Sequence, residues 1–215
     1  MNADLRARIL AEAKRTPSPT RAEHRRRVTL VVVAGTAAIA ALFFLMGGVK
    51  QGARPSELVA FATGYALLGA AMLTRLSGAR PGSMLPRPSA LLLGLCFAAA
   101  PVLAAGAVVA ASMWPGAAEE AVPARADLGC AAMTVAQGVL PLVVLVLLRR
   151  GSDPVHPTIS GAALGMAAGA WSTTMAYLRC PHAPASHCVI AHVLPALVFV
   201  AMGALLGRVL LSARR

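Results

Sequence analysis

Six apolar stretches, at residues 28–49, 57–75, 89–112, 127–148, 158–178 and 188–211, set the rhythm of this chain, and most charged residues lie in the intervals between them and in the first 27 positions. An α-helix rises about 1.5 Å per residue, so a stretch of about twenty apolar residues matches the hydrocarbon core of a bilayer. Inside that core the backbone must satisfy its own hydrogen bonds, which leaves helices or closed barrels. Stretches of this length predict an all-α fold, a polytopic membrane bundle of about six transmembrane helices. The first stretch follows Arg25-Arg26-Arg27 and has the look of a secretion signal. It exceeds the apolar core of about 7 to 15 residues usual for such signals, and further spans follow, so it is expected to be retained.

Ahead of the first span, residues 2–13 predict a short amphipathic helix. Asn2 or Asp4 can cap it, Leu5, Ile9, Leu10 and Ala13 share one side, and Arg6, Arg8, Glu12 and Lys14 surround them. A helix of about twelve residues is marginal alone in water and needs a partner or a membrane surface, the bland alternative being a frayed tail. Thr16-Pro17-Ser18-Pro19-Thr20 then makes a stiff linker. The expected organisation is a cytoplasmic segment at 1–27, a six-helix domain at 28–211 and a basic tail at 212–215.

The spans carry packing signals more than transport signals. Gly161, Gly165 and Gly169 recur every fourth residue, as do Gly203 and Gly207, a spacing that lets helices approach closely. Pro101, Pro141 and Pro195 are positioned to kink spans three, four and six. No Asp, Glu or Lys falls near a predicted midplane, which argues against ion-coupled transport and proton pumping.

Composition sharpens this picture. The chain is 58% hydrophobic and 13% charged, with mean hydropathy +0.70, which excludes an ordinary soluble domain. The net charge of +12 invites a nucleic-acid reading, but aromatic residues are only 4% and the basic residues sit in the tail and short loops, so no direct nucleic-acid contact is expected. With the N-terminus inside, only Lys50, Arg54, Arg125 and Arg179 of the 20 Lys and Arg fall on the outer side. Basic residues accumulate on the cytoplasmic face, so both termini are expected in the cytoplasm. The loop between spans five and six then faces outward, together with Cys130 at the start of span four. Cys96 falls in the cytoplasmic half of span three and reads as a packed apolar residue.

That outer loop holds most of the chain's candidate chemistry. From Cys180 to His192 the sequence reads Cys-Pro-His-Ala-Pro-Ala-Ser-His-Cys-Val-Ile-Ala-His, offering Cys180, His182, His187, Cys188 and His192. Thiolate and neutral imidazole bind zinc, copper and other heavy-metal ions, and exposed thiols are oxidised. The spacing is no standard zinc motif. Metal binding, redox chemistry of Cys130 or Cys180, and a structural disulfide all remain open at this point. Cys130 and Cys180 share a membrane face, and two neighbouring helix ends can bring them within disulfide reach.

Taken in order, Asp4-Leu5 with the Pro and Arg of the tail, Cys130, His156-Pro157 leading into Gly161-Ala162-Ala163-Leu164-Gly165, Cys180-Pro181, and Gly203-Ala204-Leu205-Leu206-Gly207-Arg208 resemble the NrsF-type membrane anti-sigma factors of bacteria. The resemblance covers nearly the whole chain. It implies an inner-membrane protein without enzymatic activity, whose N-terminal segment, here Leu5, Ile9, Leu10 and Ala13, holds an extracytoplasmic-function sigma factor. It also implies that Cys130 and Cys180 sense a stress such as heavy metals or oxidants. The light-responsive carotenoid system has an anti-sigma factor of similar architecture, which adds a photo-oxidative stimulus. Where the family pattern leads one to expect an aromatic-rich entry to the last span, this chain has His182, His187, Cys188 and His192, as a metal-tuned sensor would. Two other classes compete. A membrane thiol oxidoreductase is weakened by the lack of a Cys-x-x-Cys pair, and a small metal permease by the lack of matching ligands along the spans.

Overall fold

A computed structural model describes residues 11, 20–48, 56–78, 88–100, 103, 106, 122–150, 156–182 and 184–212. The expected partner-binding positions Leu5, Ile9, Leu10 and Ala13 lie outside the described residues. The chain is all-α, with no strand among the described residues. Helix α1 spans Arg21–Leu45, α2 Ser56–Gly78, α3 Pro88–Ala98, α4 Ala124–Leu148 and α5 Pro157–Arg179. The last helix, α6, comprises Ala185–Cys188, a widened π-type turn at Val189–Val193, Leu194–Leu206 and a second such turn at Gly207–Leu211.

Local chemistry explains the boundaries. Thr20 caps α1, its hydroxyl accepting the Glu23 N–H at 3.2 Å, and Glu23 pairs with Arg27 one turn on. The same helix stops at Gly47 and Gly48, whose φ values of 97° and 66° lie in the left-handed region that side chains avoid. Pro157 opens α5 at a position where its missing N–H costs nothing.

Among the described residues, four helical stretches are long and apolar enough to cross a membrane: Arg25–Leu45, Val59–Leu76, Ala124–Leu148 and Ser186–Leu211. The expected third span runs beyond the described residues after α3. Although α5 has 23 residues, it is rich in Gly, Ala, Ser and Thr, and the reason is its place in the bundle. It packs against α6, α2, α4 and α3 and is buried almost continuously from Ser160 to Tyr177, with Leu164, Ala167, Ala168 and Trp171 among its enclosed residues.

Small residues are what such a central helix needs. A Cβ added to Gly161 would collide with the Gly203 carbonyl, and one added to Gly203 would collide with the Gly161 carbonyl, so α5 and α6 touch backbone to backbone. The outer surface is the reverse, carrying large apolar side chains such as Leu45, Phe44, Val209 and Leu140. Large residues outside and small residues inside are the pattern of helices solvated by hydrocarbon.

Candidate metal and thiol site

At one end of the bundle, the start of α4, the end of α5 and the start of α6 come together. Asp127 lies in the first turn of α4, where the helix dipole favours a carboxylate, and Cys130 follows three residues later on the same face. Cys180 ends α5 in an extended conformation, its N–H bonded to the Ala176 carbonyl at 3.0 Å. His187 enters from α6.

The thiol of Cys180 lies 2.8 Å from His187 Nε2, and His187 Nδ1 lies 2.6 Å from Asp127 Oδ1. A carboxylate only accepts, so Nδ1 carries the proton it donates to Asp127, which leaves Nε2 as the ring nitrogen that faces Cys180. The ligand atoms of Cys130, Cys180 and His187 all lie within 4.8 Å of one another. Zinc bonds sulfur at about 2.3 Å and imidazole at about 2.0–2.1 Å, so small closing movements would seat three donors on one ion. Cys180 and His187 are buried and Cys130 is half-buried. No disulfide joins the described cysteines, so Cys130, Cys180 and Cys188 are all thiols at this end.

The other expected ligands are placed differently. The His182 carbonyl is 3.8 Å from the Cys180 sulfur, and its ring meets that of His187 edge-on with centroids 5.2 Å apart. His192 lies a turn deeper, its ring against His187 at 5.5 Å and Tyr177 at 5.6 Å. Cys188 packs with Val59 and Tyr177. Neither Cys188 nor His192 belongs to the group of three ligands found among the described residues. Asp127 is the residue that sequence reasoning missed, and its signal was the spacing of three from Cys130.

A widened turn follows directly after His187 and Cys188. Pro195 has no N–H to give the Ala191 carbonyl, and α6 relaxes into a π-type turn in which the Leu194 N–H reaches the Val189 carbonyl. Neighbouring helices serve the carbonyls there. The Thr134 hydroxyl on α4 lies 2.8 Å from the Cys130 carbonyl and 3.1 Å from that of Ala191, and the Thr173 hydroxyl on α5 donates to the His192 carbonyl at 3.2 Å. Beside the cluster, Arg179 donates to the Met46 carbonyl at the end of α1. Hydrogen bonds thus tie α4, α5 and α6 together next to the cluster.

No curated protein and no solved structure matches the chain. The profile of the family described as negative regulator of sigma F, NrsF, matches residues 11–212. That match takes in the bundle and the Cys-His site together, and the chain belongs to the NrsF family of negative regulators of sigma F.

Proposed function

We propose that this chain is an inner-membrane anti-sigma factor that holds an extracytoplasmic-function sigma factor through its N-terminal segment and releases it when the Cys130, Cys180 and His187 group binds a soft or borderline divalent metal ion. The observation that carries the metal reading is the His187 geometry, one ring nitrogen on Asp127 and the other toward Cys180, since a carboxylate behind a histidine orients it for a metal. The excess of basic residues on one side supports cytoplasmic termini and an outward-facing site. Family membership supports a regulator of transcription and a non-enzymatic role.

Oxidation is a second reading, favoured by the proximity of the Cys130 and Cys180 sulfurs. Two thiols would lose two electrons and two protons to an oxidant such as a peroxide, joining as a disulfide. The test of the main reading is co-purification of a sigma factor with the full-length chain, before and after addition of Zn²⁺ or Cd²⁺. Capture without metal and loss with metal is expected. Failure to capture any sigma factor in either condition would count against the regulator reading.

A further inference from the structure

A cavity of about 630 Å³ opens between α1, α4 and α5. It follows α1 from Val31 to Met46, about 22 Å at the helical rise, and its wall is apolar apart from Gln137 and, at the Cys180 end, Arg179. The volume falls in the range of ligand sites, about 300–1,000 Å³. Water is a poor occupant because it needs two to four polar partners. Meanwhile α1 is the least enclosed of the four membrane-length stretches, with 12% of its apolar window buried.

We propose that this cavity binds one phospholipid, an acyl chain lying between α1 and α4 and the phosphate resting on Arg179. The choice of occupant follows from charge and length. A guanidinium carries five N–H donors, so its contact with Met46 leaves donors for a phosphate, and the apolar trough below runs on for about the length of an acyl chain. The lipid would supply the packing that α1 lacks against α4 and α5. Because Arg179 adjoins Cys180, the headgroup lies next to the metal and thiol group. The inference rests on the membrane placement proposed above, but its readout is lipid retention and does not depend on sigma-factor capture.

The experiment is native mass spectrometry of the full chain, washed in mild detergent, with quantification of the extracted lipid. Wild type is expected to retain a single phospholipid. Arg179→Gln should lower retention about tenfold, and Ala136→Trp, which fills the trough from an exposed position of α4, should abolish it. Leu68→Trp, on the exposed face of α2, should change nothing. Equal retention in all variants would identify unspecific surrounding lipid and overturn the proposal, as would no retained lipid in wild type. Recovery of a hydroxylated isoprenoid that is lost with Gln137→Leu would also overturn it, giving the cavity to a ligand that donates to the Gln137 oxygen, which meets no donor among the described residues.

Discussion

His187 is held by Asp127 at 2.6 Å from Nδ1, across a sequence separation of 60 residues, and this contact fixes which ring nitrogen faces Cys180. Removing the carboxylate charge should therefore weaken metal binding without removing a ligand. Asp127→Asn is expected to lower Cd²⁺ or Co²⁺ affinity about 10- to 100-fold, the usual effect of losing such a partner. His187→Ala should lower it further. Titration followed by thiolate-to-metal absorption measures both, and wild-type affinity in Asp127→Asn would show that the carboxylate plays no part.

Metal should also shield the thiols. In a Cys96→Ser background, saturating Zn²⁺ is expected to slow alkylation of Cys130 at least about tenfold, because a coordinated thiolate is no longer free to attack. Peptide mass spectrometry reads the labelled position. Unchanged labelling of Cys130 would remove it from the ligand set.

The seam between α5 and α6 makes a separate prediction about stability. Gly161→Leu forces side-chain atoms into the Gly203 backbone and should destabilise the bundle by at least about 1–3 kcal/mol, the usual cost of overpacking. Gly64→Ala, in the interior of α2 with open space around its position, should leave stability unchanged or raise it by up to about 1 kcal/mol. Thermal unfolding in detergent compares the two. Equal stability would mean the helices are not in backbone contact.

The extent to which this could be read in advance differs from element to element. Spans expected at 127–148 and 188–211 appear as the membrane-length stretches Ala124–Leu148 and Ser186–Leu211, because the length of an apolar run is itself the physical constraint, whereas 158–178 appears as the helix Pro157–Arg179 without being one of those four stretches. Cys130 and Cys180 meet at one end because alternating spans force them there. The choice of His187 over Cys188 and His192 was not legible, since it depends on how the ends of three helices meet, which spacing along one of them does not give. Asp127 was hidden for another reason: an acidic residue in a first helical turn is as readily a partner of the dipole as a partner of a distant histidine.

For the N-terminal segment, the apolar stripe should carry partner capture. Burial of a Leu or Ile side chain contributes about 1.5–3 kcal/mol. Leu5→Ala with Ile9→Ala is therefore expected to weaken capture on the order of a hundredfold, even if part of that energy is retained. Co-purification with the variant measures this, and undiminished capture would move the binding surface elsewhere.

The central claim joins the two ends of the molecule, and it is tested most directly by measuring sigma-factor release from membranes containing the full chain as Cd²⁺ is added. Wild type should release the partner, while Cys130→Ser, Cys180→Ser and His187→Ala should each retain it at the same metal concentration. Release that proceeds equally in all three variants would contradict the account.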